Sequence, residues 1–309
     1  MDIKILLNAI PFELERSVCK HVNILLKRRP SSVPFLSGDT YRNFAHVIYD
    51  ETHRCSVQDI HENDIVFVSS WLLEEFAQNI LTALQCPIIL LTHQGDVNIT
   101  HSAFYQKIAN DKNIISWFAQ NCTLEHNKVI PLPIGLEDAH RHNAGCLSDF
   151  KTLTKKHISH KIPKVVVAFT MGTNPDTRFD CYRTFWKNPI SIEFPGSLTC
   201  RQYRKRLQRH MFVASPEGNG LDCHRMWEAV YLGVVPIVKR NYMTEYFASL
   251  NLPIWIIDSW EEVTQFSQEE LAERYINITA QSNTTAAYFA YWKEKISEKR
   301  IENQKIEQA

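Results

Sequence analysis

The stretch Ser215-Pro216-Glu217-Gly218-Asn219-Gly220-Leu221-Asp222-Cys223-His224-Arg225-Met226-Trp227-Glu228-Ala229 runs on through Gly233 into Val234-Val235-Pro236-Ile237-Val238, and it decides how this chain is read. Its order is glycine-bearing loop, short helix, buried strand. Gly218 and Gly220 let the backbone turn sharply and approach a ligand, and Asp222 is placed to cap the helix that follows. Free amides at the helix start, with the positive end of its dipole, favour a phosphate or diphosphate. Cys223, Met226, Trp227 and Val230 form an apolar stripe at helical spacing that suits packing on a sheet. Arg225 and Glu228, three residues apart on another face, remain for a ligand: Arg225 for a diphosphate, Glu228 for ribose hydroxyls. A plain α/β unit with a solvated Arg225–Glu228 ion pair fits the same spacing, so this segment alone leaves both readings open.

Two further segments point the same way. Lys164-Val165-Val166-Val167-Ala168-Phe169 is a β-branched run that predicts a buried parallel strand. It leads into Thr170-Met171-Gly172-Thr173-Asn174-Pro175-Asp176-Thr177-Arg178, where Asn174-Pro175-Asp176 is turn chemistry and Thr177-Arg178 starts the next helix. Ligands of open α/β sheets bind beyond the carboxyl ends of the strands, which makes Thr173, Asn174 and Arg178 candidate contacts. The third segment is Trp117-Phe118-Ala119-Gln120-Asn121 followed by Lys128-Val129-Ile130-Pro131-Leu132-Pro133-Ile134-Gly135-Leu136-Glu137. Its prolines confine the chain to an extended path, and Gly135 permits a turn before Glu137.

Taken together, these segments resemble exostosin-type glycosyltransferases (family 47) of the bacterial and viral kind. Arg225, Glu228, Gly233 and Pro236 match that family's Arg-x-x-Glu helix and the strand after it. The strand-end loop at 170–178 and the stretch 117–137 match two more of its segments. The resemblance covers positions 87 to 260 and is densest between 215 and 238. It implies an α/β chain with the GT-B fold, two Rossmann-like doubly wound domains facing a cleft. It also implies inverting transfer from a nucleotide sugar, UDP- or GDP-linked, to a glycan or glycolipid acceptor of the surface-polysaccharide type. Donor contacts carried over are Thr173, Asn174, Arg178, Ser215, Glu217, Gly218, Asn219, Gly220, Arg225 and Glu228. Such a transfer needs a base for the acceptor hydroxyl. Strand-end residues of the first domain are placed for it, in the order Asp96, His93, Glu137. No Asp-x-Asp segment is evident, so the expected activity is independent of metal. The alternatives are a fucosyltransferase-like enzyme, whose donor helix usually carries Glu-Lys where this chain has His224-Arg225, and a non-catalytic GT-B partner that binds nucleotide sugars.

Composition sets the outer bounds. Lysine plus arginine and aspartate plus glutamate number 34 each in 309 residues, so no global positive field gathers nucleic acid. Apolar content of 44% with 22% charge is that of a globular chain of about two domains. Eight cysteines without a close pair argue against structural zinc and against a disulfide framework. The apolar run after Met1 is too short for a signal peptide, and none reaches membrane-spanning length. Animal exostosins carry a membrane anchor; the departure here points to the cytoplasm, with peripheral contact at the inner membrane face. Arg201, Arg204, Lys205, Arg206 and Arg209 crowd one helical segment that suits an anionic lipid or acidic acceptor, or a solvated helix face.

Periodicity predicts a strand over 3–8, a helix over 13–26, a strand over 64–69, a helix over 71–84, a strand over 86–92 and a helix near 102–109. Residues 138–163 read as a linker. The expected units are an acceptor-side domain over 1–150 and a nucleotide-sugar domain over 151–285. A helical segment over 286–309, bearing Tyr288, Phe289, Tyr291 and Trp292, either crosses back to the first domain or packs on its own.

Overall fold

A computed structural model of the protein describes residues 28–141, 147–154, 160–196 and 198–307, together with positions 26 and 158. The strand expected over 3–8 and nearly all of the helix over 13–26 lie outside these residues.

Among the described residues the chain forms two five-stranded parallel sheets. The first follows chain order: β1 (Val47–Tyr49), β2 (Asp64–Ser69), β3 (Ile88–His93), β4 (Ile114–Ala119) and β5 (Val129–Pro131). β2 and β3 are near-continuous apolar runs because both faces are covered, as parallel sheets require. Around them lie α1 (Gly38–Phe44), α2 (Leu73–Asn79) and α3 (Ala103–Ala109), and α4 (Leu147–Leu153) follows in the chain. The second sheet has the order β10-β9-β8-β6-β7, built from β6 (Ile162–Val167), β7 (Ser191–Glu193), β8 (His210–Ala214), β9 (Val235–Lys239) and β10 (Trp255–Ile257). Its helices are α5 (Pro175–Phe185), α6 (Cys200–Leu207), α7 (His224–Tyr231), α8 (Tyr242–Ser249), α9 (Glu261–Thr264) and α10 (Gln268–Gln281), and α11 (Phe289–Glu307) closes the chain. Because β7 and β8 flank β6 on opposite sides, connections leave β6 and β8 in opposite directions. A crevice is left at the carboxyl end of β6.

Pro236 stands inside β9, where a missing N–H would ordinarily break the ladder. Ile237 faces β8, accepting from the Ser215 N–H at 2.9 Å, so its neighbour Pro236 faces the β10 side. Pairing with β10 begins only at Ile237↔Trp255, and no ladder bond is lost.

Three apolar clusters hold the layers. One packs a face of the first sheet around Val66, Leu90 and Trp117, and another a face of the second sheet around Phe212, Trp255 and Trp260. The third joins the halves: Phe35, Phe118 and Phe150 meet Trp227 and Tyr231 of α7, and Trp292 and Ile296 of α11. α11 returns to the first sheet, packing on β3 and β4. Phe289 sets its ring edge-on to Tyr41 and Phe44, with centroids 5.8 and 5.4 Å away.

Several local expectations change. The helix over 71–84 is split into a 3-10 turn at Ser70–Leu72, α2, which ends at Asn79 with Ile80 as its cap, and a second turn at Leu81–Ala83. The linker over 138–163 contains α4, whose Phe150 and Leu153 are buried and whose Asp149 draws in Arg201 and Arg204. The basic segment is accordingly not one face: Arg201 and Arg204 are buried, while Lys205, Arg206 and Arg209 are exposed. No described helix is long and apolar enough to cross a membrane.

Gly135 supplies the sharpest test of this packing. Its φ of +69° is left-handed, and a Cβ there would overlap the Leu36 carbonyl. Gly135→Ala is therefore expected to destabilise by about 2 kcal/mol or more, read as a lowered urea midpoint. Gly172→Ala, where an added Cβ meets nothing within 4 Å, should leave the midpoint unchanged.

Candidate functional site

β6 leaves the sheet after Val167, and Ala168, Phe169 and Thr170 turn into the crevice. A cavity of about 490 Å³ opens there, within the range of small-molecule sites. Phe169, Glu193, Phe194, Tyr203, Arg225 and Glu228 are among the residues lining it.

Arg225 is held by its own domain. Its Nε donates to the Ala168 carbonyl at 3.1 Å, and its guanidinium lies 5.4 Å from the Phe169 ring centre. Among the described residues it has no carboxylate partner to neutralise its charge. The start of α7 lacks a side-chain cap, which adds the helix's positive end to the same side.

Glu228 is fixed from behind. Its Oε1 accepts from Arg204 Nη2 at 2.7 Å and from Nε at 3.2 Å, and Arg204 Nη1 reaches Asp149 Oδ2 at 3.0 Å. Arg201 also donates to Asp149. The alternation Arg201, Asp149, Arg204, Glu228 holds the last carboxylate at the cavity wall without spending Arg225 on it. The Arg225–Glu228 ion pair that their spacing allows is not formed.

Tyr203 was not legible as a site residue. It lies on α6 in the basic segment, and its buried hydroxyl has no partner among the described residues. Burial pushes this phenol upward, with Arg225 and Glu228 among the charges acting on it. Its one sequence sign is an aromatic residue beside Arg204 on the inward side of α6.

Of the other donor candidates, none lines this cavity, for reasons the packing gives. Arg178 is buried, with Nη1 on the Thr170 carbonyl at 2.6 Å and Nε on the Glu217 carbonyl at 3.0 Å, so it ties two loops together behind Phe169. Thr173 lies exposed in the turn before α5, and Asn174 donates to the Gly218 carbonyl at 2.9 Å. Ser215 is buried, its hydroxyl 3.1 Å from Cys223 Sγ, and Glu217 accepts from Asn241 at 2.8 Å. Gly218 backs onto Arg178, and Gly220 lies against Asn121, where a Cβ would collide with the side-chain amide. Asn219 reaches across the cleft to Asp96 at 3.0 Å. The two glycines thus allow protein to approach protein. Asp222 does not cap α7, whose cap position is Cys223; it is buried and accepts from the Ile134 N–H at 2.9 Å and the Trp227 indole at 2.8 Å.

A second cavity of about 150 Å³ lies on the first-domain side, lined by Trp71, Asp96, Glu137, Arg141 and His224 among others. Gly95 makes room for Trp71, whose indole would otherwise crowd a Cβ, and Trp71 is 60% exposed. Asp96 is exposed. Glu137 Oε2 stands 3.4 Å from His224 Nε2, and His224 Nδ1 lies 2.8 Å from the Gly135 carbonyl.

His93 also borders this cavity but has no nitrogen to spare. Nδ1 accepts from the Gln94 N–H at 2.8 Å and Nε2 faces the Pro133 carbonyl at 3.1 Å, which fixes the neutral tautomer with the proton on Nε2. The expectation of His93 as a base is corrected accordingly.

Below the cavity, Asp39, Asp138 and His140 bring three ligand atoms within 4.8 Å of one another. All four carboxylate oxygens already accept hydrogen bonds. Asp39 Oδ1 takes Arg29 and Gln94 at 2.8 Å each, and its Oδ2 takes His140 at 2.7 Å. Asp138 takes the Asp39 N–H at 2.7 Å and Gln94 at 2.8 Å. Burial opposes ionisation of Asp39, but His140 and Arg29 outweigh it and hold the carboxyl below its ordinary value. The group is a hydrogen-bond network in which every carboxylate oxygen already has at least one donor.

Compared with known proteins, the sequence matches no family model and no curated protein. The resemblance to exostosin-type enzymes therefore rests on the quoted segments.

Burial lowers the His93 pKa from 6.5 to about 4. The unfolded chain takes up this proton near pH 6.5 while the folded chain does not, so stability is lost as pH falls from about 6.5 to about 4. The difference corresponds to about 3 kcal/mol. Urea midpoints measured across this range should fall more steeply for the wild type than for His93→Gln. Parallel curves would contradict the assignment.

Proposed function

We propose that the protein is an inverting glycosyltransferase of GT-B type. In this reading it moves a sugar from a nucleotide-sugar donor, UDP- or GDP-linked, to a hydroxyl of a glycan or glycolipid in surface-polysaccharide biosynthesis. The observation that carries the reading is Arg225: a cation without a carboxylate partner among the described residues, held over Phe169 at the mouth of a 490 Å³ cavity at the topological switch point. A leaving diphosphate is the anion such a site suits, because charge grows on it as the glycosidic bond breaks. Aromatic walls from Phe169, Phe194 and Tyr203 give the nucleoside an apolar surface, and Glu228 offers its carboxylate to the ribose hydroxyls. The adjoining first-domain cavity gives the acceptor a place beside the sugar. Lys205 and Arg206 on α6 and Arg209 just after it remain exposed for peripheral contact with an anionic membrane face, and the balanced charge of the chain gives no reason to expect a nucleic-acid partner.

The test is release of nucleoside diphosphate from a panel of UDP- and GDP-sugars. Arg225→Ala should lower turnover by about 10²- to 10³-fold, on the order of 3 kcal/mol in the transition state, with an unchanged melting temperature. Undiminished turnover in that variant would refute the donor site. Calorimetry separates the role of Glu228: the wild type should bind UDP or GDP about tenfold more tightly than the 2′-deoxy form, and Glu228→Gln should abolish the preference.

Arginine and helix amides are the groups offered to the leaving charge, and the carboxylates of Asp39 and Asp138 are engaged in hydrogen bonds within the protein. Turnover is accordingly expected to survive excess EDTA. Loss of activity to chelator, restored by Mn²⁺ or Mg²⁺, would contradict this.

A further inference from the structure

Glu137 and His224 line both cavities of the cleft, and among the described residues no other lines both. Glu137 comes from the loop after β5 in the first domain. His224 is the first residue of α7 in the second and immediately precedes Arg225. A group passing from a ligand in the larger cavity to one in the smaller passes these two side chains. Both are accessible, at 24% for Glu137 and 35% for His224. The rival carboxylate, Asp96, borders the smaller cavity alone and already accepts from Asn219.

The His224 tautomer follows from its partners. The Gly135 carbonyl can only accept, so Nδ1 carries the ring proton and Nε2 keeps its lone pair. That nitrogen faces Glu137 Oε2 at 3.4 Å, a contact that becomes an ion pair once Nε2 is protonated.

We propose that the smaller cavity receives the acceptor and that His224 Nε2 is the base that takes its proton, with Glu137 stabilising the imidazolium that results; this rests on the glycosyltransferase reading above. The exposed Trp71 indole, with Asp96 and Arg141, gives the cavity an apolar wall and polar partners suited to a hydroxyl-bearing sugar. The acceptor O–H bond breaks and its proton goes to Nε2. The oxygen's electron pair forms the new bond to the sugar's anomeric carbon. The bond from that carbon to the diphosphate breaks, and its electron pair leaves on the diphosphate oxygen, facing Arg225.

The experiment uses the full chain and a UDP- or GDP-sugar that the wild type turns over, with release of nucleoside diphosphate as the rate and calorimetric binding of free UDP or GDP as the control. His224→Ala should lose about 10²-fold or more in turnover while keeping the affinity for the free nucleotide, and added imidazole should restore a tenth or more of the lost rate. Glu137→Gln should lose about tenfold with the same affinity. The assignment is overturned if His224→Ala retains a third of wild-type turnover, if its nucleotide affinity falls along with the rate, or if imidazole restores nothing. A wild type that neither binds UDP or GDP nor turns over their sugars would instead overturn the glycosyltransferase reading beneath it.

Discussion

One buried carboxylate ties the two halves of the molecule together at the cleft. Asp222 Oδ2 accepts from the Ile134 N–H of the first domain and from the Trp227 indole of α7, so a single oxygen sets the distance between the loop after β5 and the start of that helix. Burial raises its pKa; two donors meet Oδ2, while Oδ1 is buried without a partner among the described residues. Gly135, His224, Arg225 and Glu137 all lie within a few residues of these anchor points. A shift of the anchor would move the first-domain loop and the α7 start relative to each other, separating Glu137 from His224.

The charges of the cleft follow a simple division. Most carboxylates and arginines around the cleft neutralise each other, as along Arg201, Asp149, Arg204 and Glu228 or around Arg29 and Asp39. Arg225 is kept out of this pairing by its bond to the Ala168 carbonyl and by Phe169 beneath it. Burying the hydrogen-bonded network under the first-domain cavity keeps Gln94, at a left-handed φ of 63°, in one place. The result is a rigid first-domain wall opposite an uncompensated cation.

Much of this was legible in the sequence, and the failures have one cause. The buried strands β2, β3, β6 and β9 are apolar runs that read directly, as does α7 from its stripe of Met226, Trp227 and Val230. The lining role of Arg225 and Glu228 follows from their place on the face opposite that stripe. Gly218 and Gly220 were read as ligand chemistry and Asp222 as a helix cap, yet Gly218 packs on Arg178 of its own half while Gly220 and Asp222 meet Asn121 and Ile134 of the other. Local spacing says that a glycine permits close approach but cannot say what approaches. Arg178 misled in the same way, since a strand-end arginine serves a loop as readily as a phosphate. Tyr203 and His224 were missed because their significance depends on partners 20 to 90 residues away, such as Glu228 and Gly135.

The central claim is that the larger cavity holds a nucleoside diphosphate with its diphosphate on Arg225. It is tested most directly by an experimental structure of the protein saturated with UDP or GDP. The account predicts diphosphate oxygens within hydrogen-bonding distance of the Arg225 guanidinium, the ribose at Glu228 and the base among Phe169, Phe194 and Tyr203. A nucleotide bound elsewhere on the surface, with Arg225 facing solvent, would contradict it.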